Sequence, residues 1–339
     1  MLVTWTVTCQ SLFAFKRSNF IFKMPTNSPA MKTLLRFGLV ADLQYANIDD
    51  AYNWNKTKKR YYRSAIDLLG KAMKDWKQND AKFILQLGDL VDGFCKRTEE
   101  PIDCLNRILD IFDQEQWPVL NVVGNHELYN FEKDTLYKSR LFKNQPASNK
   151  AYYTLSPYQG LKVCVLNTYE ISVLGELEGT ASYDVAHSFL AERNPNKDKN
   201  DPSGLESVDR RFVRFNGAVS KEQLEWLSKE LILATKQKEN VIVVGHNPIY
   251  LPATDSACLC WNYSEILDIL SENSVVCYIS GHDHDGGYSV DQSGIHHITM
   301  PGAIEHPDSY AVGYLLEDSL VIHGRGDMFE VNCPLRFKL

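Results

Sequence analysis

The sequence predicts an α/β fold made of two packed β-sheets with helices on their outer faces. Short apolar runs alternate with segments in which apolar residues recur at helical spacing, as in chains that alternate strands and helices. The short runs are apolar at nearly every position, so we expect the strands to be covered on both faces. The chain has 339 residues, of which 44% are hydrophobic and 23% charged, and it can therefore bury a large core.

The first half of the chain alternates strands and helices. The predicted elements are, in order, a strand at Leu34–Ala41, a helix at Lys56–Gln78, a strand at Phe83–Leu87, a helix at Ile102–Asp113 and a strand at Val119–Val123. Within the first helix, Ile66, Leu69 and Met73 follow helical spacing. Each strand runs directly into a glycine or an aspartate.

The second half begins and ends with β-structure. The predicted elements are paired strands at Ala151–Leu155 and Lys162–Leu166, a helix at Ser220–Leu233, a strand at Val241–Val244, a helix at Tyr263–Leu270 and a strand at Val275–Ile279. The remainder, to about Leu320, alternates as antiparallel strands do. Residues 184–215 interrupt the pattern, because Glu192–Arg214 is rich in Asn, Asp, Lys, Pro and Ser. We predict an inserted loop there.

We predict a single domain over residues 31–339 and an N-terminal extension over residues 1–30. Met1–Ala41 has no Asp or Glu but five basic residues, a composition also found in organelle transit segments. The extension is interpreted as disordered, as targeting, or as an alternative start, since Met24 and Met31 both precede the first strand. We expect a cytoplasmic protein, with organelle targeting as the alternative.

Amino-acid composition and net charge limit the kinds of molecule that the protein is expected to bind. The net charge of −7 and the pI near 5.7 argue against non-specific nucleic-acid binding. A phosphorylated substrate remains compatible, because bound metals supply a local positive field. Eight cysteines without a Cys-x-x-Cys pair indicate mostly buried or reduced thiols. No apolar run approaches the roughly 20 residues of a membrane span. We therefore expect neither nucleic-acid nor membrane partners. A monomer that acts on small molecules is a separate expectation, which the composition does not decide.

Five short motifs follow the predicted strands. They are GLVADLQ (38–44), LGDLVDG (87–93), VVGNHELY (122–129), VIVVGHNP (241–248) and YISGHDHDGG (278–287). Their candidate metal donors are Asp42, Gln44, Asp89, Asn125, His126, His246, His282 and His284. Oxygen and imidazole donors without sulfur suit Mn²⁺, Fe²⁺ or Zn²⁺. The number of donors fits two neighbouring metals, and two metals roughly 3.5–4 Å apart are a device for hydrolysing phosphate esters.

The repeated placement of these donors is what indicates a site. Loops converge at the carboxyl ends of sheet strands, and ligands gather there. A single Asp after a strand is more typical of a helix cap, and a single His of the surface, but five such ends together are not. Asp92 and Glu127 are predicted to orient the ligands. We interpret three other histidines as structural or solvated, namely His296, His297 and His306.

The motifs resemble those of the calcineurin-like metallophosphoesterases. Their pattern of D-x-H, G-D-x-x-D/Y, G-N-H-D/E, G-H and G-H-x-H is matched in order and spacing over residues 37–284. This resemblance implies a four-layer α/β/β/α sandwich of two mixed β-sheets flanked by helices. Gln44 stands where most members have His, and its weaker, harder amide oxygen favours Mn²⁺. Asp92 stands where purple acid phosphatases carry Tyr, which argues against that subfamily.

The sequence is more similar still to the manganese-dependent ADP-ribose/CDP-alcohol diphosphatases. The shared features are D-x-Q, KKRYYR (58–63), LQLGD (85–89), FNG with a following Gln-x-x-Trp-Leu helix (215–227), a CLxWNY stretch (258–263) and GHxHDGGY (281–288). The likeness covers nearly the whole chain beyond residue 34. It implies a hydrolase that cleaves ADP-ribose, CDP-choline or CDP-glycerol to a nucleoside monophosphate and a phosphorylated sugar or alcohol.

The resemblance also implies residue roles. One metal would be held by Asp42, Gln44, Asp89 and His284, and the other by Asp89, Asn125, His246 and His282. His126 would stabilise or protonate the leaving phosphate oxygen. The expected metal is Mn²⁺, with Zn²⁺ or Fe²⁺ as alternatives and Mg²⁺ as a weaker activator. Candidate substrate contacts are Arg60, Arg63, Asn216, Cys258 and Trp261, although a basic stretch such as Lys58–Arg63 is also typical of a solvated helix start.

Three other functions remain open. A cyclic-nucleotide phosphodiesterase would use the same metal chemistry on a smaller substrate. A protein phosphatase is disfavoured, because the sequence lacks a broad acidic or basic docking stretch. A metal-free scaffold on the same fold typically loses the bridging Asp or the Asn-His pair, and this chain keeps Asp89, Asn125 and His126.

Overall fold

Alternating strands and helices make up the described part of the chain, residues 32–53, 55–98, 100–143, 145 and 150–339 of a computed structural model. The strands are β1 (Leu35–Val40), β2 (Ala51–Tyr52), β3 (Lys59–Arg60), β4 (Ile84–Gln86), β5 (Val119–Asn121), β6 (Tyr153–Tyr158), β7 (Leu161–Val165), β8 (Asn240–Val244), β9 (Val275–Ser280), β10 (Gly287–Val290), β11 (His296–Thr299), β12 (Tyr310–Leu315), β13 (Ser319–Arg325) and β14 (Val331–Pro334). The α-helices are α1 (Ser64–Gln78), α2 (Cys95–Thr98), α3 (Pro101–Phe112), α4 (Asn125–Asn130), α5 (Lys133–Tyr137), α6 (Ala181–Arg193), α7 (Lys221–Lys236) and α8 (Tyr263–Ser271). The predicted extension over residues 1–30 lies outside the described residues.

The strands form two six-stranded mixed sheets. The first sheet has the order β14-β13-β12-β1-β4-β5, and the second has the order β10-β11-β9-β8-β7-β6. In the first sheet, β1, β4 and β5 run parallel. In the second, β7, β8, β9 and β11 run parallel. Each sheet therefore presents several carboxyl ends along one edge, which is where loops can converge on a ligand.

Burial shows how the sheets and helices are layered. Apolar side chains of both sheets, among them Phe37 of β1 and Ile242 of β8, form one shared core cluster. The outer face of the first sheet packs on α1 and α3, and that of the second packs on α7 and α8. The predicted two-sheet α/β sandwich is thus confirmed. Six of the seven cysteines in the described residues are buried, and none of the seven forms a disulfide. None of the described helices is long and apolar enough to cross a membrane.

The predicted helix at Lys56–Gln78 is wrong in its first third. The side chain of Asn53 closes a turn, because its Oδ1 accepts hydrogen bonds from the backbone N–H groups of Thr57 (2.9 Å) and Lys58 (3.1 Å). The following residues then pair as β3 with β2, and α1 begins only at Ser64. The basic stretch 58–63 therefore lies on a hairpin and a turn, not on a helix.

The predicted inserted loop at residues 184–215 is partly helical. The hydroxyl of Thr180 caps α6 by accepting from the N–H of Tyr183, and the helix continues to Arg193. Only Ala186 and Leu190 of this helix are buried, so its sequence carries little apolar periodicity. Residues 194–206 form the loop proper. The last strand, β14, follows Leu320, near which the predicted antiparallel strands end.

We predict that Leu39→Ala lowers the free energy of unfolding by about 2–5 kcal/mol, because it empties part of the core between the sheets. Leu39 is fully buried, whereas Leu233, the matched control, is 45% exposed on α7. Leu233→Ala should change stability by less than about 0.5 kcal/mol. Urea unfolding followed by circular dichroism measures both variants. If both variants lowered the free energy of unfolding equally, the side chain of Leu39 would not lie in the core between the sheets.

Candidate metal centre

The predicted ligands come together where the carboxyl ends of the two sheets meet. Carboxylate oxygens of Asp42 and Asp89 and a ring nitrogen of His246 all lie within 4.8 Å of one another, and all three residues are buried. The Nε2 atom of His246 lies 3.4 Å from Oδ2 of Asp89 and 3.2 Å from Oδ1 of Asn125. These residues follow β1, β4, β5 and β8, so one centre joins loops from both sheets.

Gln44 and His284 complete the other side of the centre. The Nε2 atom of His284 lies 3.4 Å from Oδ1 of Asp42 and 2.9 Å from Nε2 of Gln44. Gln44 also donates to Oδ2 of Asp89 at 3.2 Å. Its own Oε1 is buried and has no hydrogen-bond donor. A buried amide oxygen without a donor is a group that a cation can satisfy, and the donor set around it fits divalent metals.

A hydrogen bond to the backbone determines which ring nitrogen of His246 is available to a metal. Its Nδ1 lies 2.7 Å from the carbonyl oxygen of Leu87. A carbonyl only accepts, so Nδ1 must carry a proton, and in the neutral ring Nε2 is the nitrogen whose lone pair is available to a metal. This partner fixes the ring in the orientation that metal binding needs.

In His282, the buried amide of Asn216 determines which ring nitrogen is available to a metal. Nδ2 of Asn216 donates to the carbonyl oxygens of Arg211 (2.9 Å) and Ala257 (2.6 Å), which fixes the orientation of the amide. Its Oδ1 then faces Nε2 of His282 at 2.7 Å, so that nitrogen is the donor and Nδ1 remains for a metal. Asn216 is fully buried. Its prediction as a substrate contact is therefore corrected to that of a positioning residue.

Four predicted ligands adopt left-handed backbone conformations. Their φ angles are 53° for Asp42, 44° for Gln44, 57° for Asp89 and 72° for His282. Such conformations are uncommon outside glycine and collect at functional sites, where surrounding structure holds them in place. The neighbouring Gly88 has φ 98°, and a Cβ there would collide with the ring of His246. Local strain therefore accompanies the close approach of the loops.

Glu127 ties the loops after β4 and β5 together. Its carboxylate accepts from the backbone N–H groups of Asp89 (2.9 Å), Leu90 (2.6 Å) and Gly124 (2.9 Å). Burial and the nearby charge of Asp89 raise the pKa of Glu127 to about 7. The geometry agrees with its predicted role of orienting ligands.

His126 faces the same centre through a carboxylate pair. Its Nδ1 lies 3.1 Å from Oδ2 of Asp92, and its Nε2 lies 4.0 Å from Oδ2 of Asp89. Burial lowers the pKa of His126, but the carboxylates of Asp89 and Asp92 outweigh that effect and raise it. The backbone N–H of Gly93 donates to the same Nδ1 at 3.1 Å, so the chain just after Asp92 orients the ring of His126 beside the ligands.

The acidic ligands control the protonation of the histidines. Burial lowers the pKa of His246, but Asp89 more than compensates and raises it to about 9. Burial also lowers the pKa of His284, but the carboxylates of Asp42 and Glu305, which accept from its ring, outweigh burial and raise the pKa to about 9. Burial and the positive charge of His246 instead keep the pKa of His282 well below its usual value.

A cleft of about 1160 Å³ opens above the ligands. Arg60 and Cys258 line it, as predicted for substrate contacts. Arg63 does not line it, and its guanidinium pairs with Asp49 at 2.6 Å. Trp261 does not line it either, because the ring is 1% exposed and packs in a separate apolar cluster. These two predicted contacts are therefore wrong in position.

Two residues at the centre gave no recognisable signal in the sequence. The phenol of Tyr169 donates to Oδ1 of Asn125 at 3.1 Å. The carboxylate of Glu305 lies 3.3 Å from Nδ1 of His284. Neither residue belongs to a motif at a strand end, and each reaches the centre only through folding. His296 and His297 pair with Tyr288 and Asp291, in keeping with a structural role.

The fold and this centre define a metallophosphoesterase, and the chain belongs to the calcineurin-like phosphoesterase family, which matches residues 35–286. Several of its relatives are named manganese-dependent ADP-ribose/CDP-alcohol diphosphatase. The one from Mus musculus is 37% identical over 324 residues, which cover 90% of this chain and 95% of the relative. The one from Arabidopsis thaliana is 39% identical over 291 residues, which cover 85% and 92%.

A solved structure gives the same result for the fold. The crystal structure of a dimetal phosphatase from Danio rerio is similar to this chain with a TM-score of 0.86 and 37% sequence identity. The similarity covers 90% of this chain and all of the other. The predicted family and the predicted fold class are confirmed.

We predict that Mn²⁺ binding at pH 7 releases protons. A metal requires neutral imidazole, whereas His246 and His284 in the metal-free protein keep a pKa of about 9 and are protonated at pH 7. Mn²⁺ affinity should therefore rise between pH 7 and 9, by about tenfold per pH unit for each proton displaced. Calorimetric titration in buffers of different ionisation enthalpy counts these protons. Affinity that is constant over this pH range would contradict the prediction.

Proposed function

We propose that the protein is a hydrolase that uses two divalent metals, with Mn²⁺ preferred, to cleave the diphosphate linkage of nucleoside diphosphate compounds. The substrates are ADP-ribose, CDP-choline, CDP-glycerol and related molecules. The products are a nucleoside monophosphate and a phosphorylated sugar or alcohol. The relatives named for these substrates match 85% or more of this chain, so the assignment does not depend on one segment.

The observation that carries this proposal is the shared carboxylate of Asp89 on the floor of a large cleft. Oδ2 of Asp89 lies 3.2 Å from Gln44 and 3.4 Å from His246, so Asp89 would be available to both metals. The cleft of about 1160 Å³ extends well beyond the ligands. That size suits a substrate with a nucleoside on one side of the diphosphate and a sugar or alcohol on the other.

The residues at the centre would hold and orient the reactants. The metal ligands would be Asp42, Gln44, Asp89, Asn125, His246, His282 and His284. The metals, when bound, neutralise phosphate oxygens and make a water nucleophilic at neutral pH. The water would form a P–O bond to one phosphorus and release a proton, while the P–O bond to the other phosphate breaks and that oxygen leaves with the electron pair.

His126 is placed to serve the leaving oxygen. The ring lines the cleft, its Nδ1 accepts from the backbone N–H of Gly93 at 3.1 Å, and its Nε2 is the nitrogen left to carry a proton towards the cleft. The carboxylate of Asp92, 3.1 Å from Nδ1, adds a negative charge beside the ring that helps to raise its pKa. The Nε2–H group of His126 would then hydrogen-bond to the leaving oxygen or transfer its proton to it.

The protein is further proposed to act as a cytoplasmic monomer on small molecules. Its net charge of −7 is unfavourable for a polyanionic partner such as nucleic acid. Mn²⁺ is the proposed metal because the amide oxygen of Gln44 is a hard donor, with Zn²⁺ or Fe²⁺ as alternatives and Mg²⁺ as a weaker activator.

We predict that His126→Ala lowers kcat by about 10²–10⁴-fold while two metals remain bound, because the ring acts on the leaving group and is not a ligand. The matched control is His323→Ala, since His323 also faces a carboxylate through Nδ1 (Glu330, 2.7 Å) but is itself exposed on β13. Steady-state kinetics and metal analysis compare the two. Unchanged kcat would refute the role, and loss of a metal would show that His126 is a ligand.

We predict Mn²⁺-dependent cleavage of ADP-ribose to AMP and of CDP-choline to CMP by the purified protein, with weaker activity in Mg²⁺ and none with chelator. A panel that adds 2′,3′-cyclic AMP and a phosphoserine peptide separates the substrate classes. Activity confined to the cyclic nucleotide would replace the diphosphatase with a phosphodiesterase. Activity confined to the peptide would make the protein a phosphatase, and bound metal without any hydrolysis would favour a scaffold.

A further inference from the structure

Glu305 connects the cleft wall to a predicted metal ligand. Its carboxylate is 3% exposed, and its Oε1 atom accepts from Nε of Arg60 at 2.8 Å. The same oxygen lies 3.3 Å from Nδ1 of His284. The opposite nitrogen of that ring, Nε2, is the one that faces Asp42 at 3.4 Å. One buried oxygen therefore lies between a cation of the cleft and an imidazole of the centre.

The segment that carries Glu305 is held by backbone hydrogen bonds on two sides. The N–H of Ile304 donates to the carbonyl of Asp42 at 2.9 Å, and the carbonyl of Ile304 accepts from the N–H of Tyr61 at 2.9 Å. The segment thus lies between the loop that bears Asp42 and the chain that bears Arg60. Gly302 packs so closely on the ring of His284 that a Cβ there would collide with it. The backbone beside Glu305 is thus held by contacts that do not involve its own carboxylate.

We propose that Glu305 is a positioning residue that commits His284 to bind its metal through Nε2. A carboxylate accepts but does not donate, so the Nδ1 of His284 that faces it must carry the proton. The lone pair is then left on Nε2, and the negative charge behind the ring strengthens the imidazole as a donor. Arg60 offsets the charge of the buried carboxylate, which would otherwise be costly to bury.

The identity of residue 44 gives this arrangement its importance. The amide oxygen of Gln44 is a weaker donor than an imidazole, so the metal held by Asp42, Gln44 and His284 depends more heavily on its remaining imidazole. Glu305 compensates by improving that imidazole. The inference rests on the metal centre of the proposed function but not on its substrate.

Mn²⁺ binding to Glu305 variants tests the proposal, by equilibrium dialysis without nucleotide. Glu305→Ala should weaken one of the two Mn²⁺ sites by about 10–100-fold and leave the other unchanged. Glu305→Gln keeps an acceptor oxygen but loses the charge, so its loss should be smaller, on the order of fivefold. The matched control is Glu330→Gln, because Glu330 also faces Nδ1 of a histidine, at 2.7 Å, but lies away from the centre. It should bind Mn²⁺ as the wild type does.

A second readout separates positioning from a purely structural role. The Mn²⁺ concentration for half-maximal hydrolysis should rise in the same order as the dissociation constants, while the rate at saturating Mn²⁺ largely recovers. Two wild-type Mn²⁺ affinities in Glu305→Ala would overturn the proposal. If Glu305→Ala does not fold, Glu305→Gln decides, since an unshifted Mn²⁺ affinity there overturns it equally. Absence of diphosphatase activity in a wild type that binds two Mn²⁺ would instead count against the proposed function alone.

Discussion

One buried carboxylate, that of Asp89, is the interaction on which the arrangement of the centre depends. Its Oδ1 accepts from the backbone N–H of His126 at 2.8 Å, and its Oδ2 faces Gln44 and His246. Asp89 is 1% exposed, and a buried anion is costly unless charge and hydrogen bonds compensate. The loops after β1, β5 and β8 supply that compensation together, so the carboxyl ends of strands from both sheets must lie next to one another around this residue.

The centre combines local strain with rigid support. Left-handed backbone at ligand positions and buried, closely spaced charges both oppose folding. The shared apolar core between the sheets lies directly beneath these loops, with Leu39, Leu85 and Val244 in it just before the ligand-bearing turns. Glu127 adds hydrogen bonds that hold two of the turns in register. A preorganised site of this kind needs little rearrangement when a metal or substrate binds.

Chemistry and recognition are divided between different parts of the fold. The metal donors lie at the ends of sheet strands, which are the least mobile places from which side chains can converge. The walls of the cleft come from segments outside the sheets, among them the β2–β3 hairpin region with Lys58 and the loop with Asp201. Loops accept substitution more readily than strands, so relatives can retain the centre and still differ in the substrates that they accept.

The sequence by itself determined the alternation of elements and the identity of the donors. Strand periodicity and a polar residue after an apolar run are local properties, and they located Asp42, Asp89 and His246. Tertiary structure alone decided where α1 begins, that Asn216 supports His282, and which nitrogen of each histidine is free. Those outcomes depend on partners far apart in the chain, 66 residues for Asn216 and His282 and 245 for Arg60 and Glu305. Such contacts leave no periodic trace in the sequence, because only the packing of the two sheets brings the partners together.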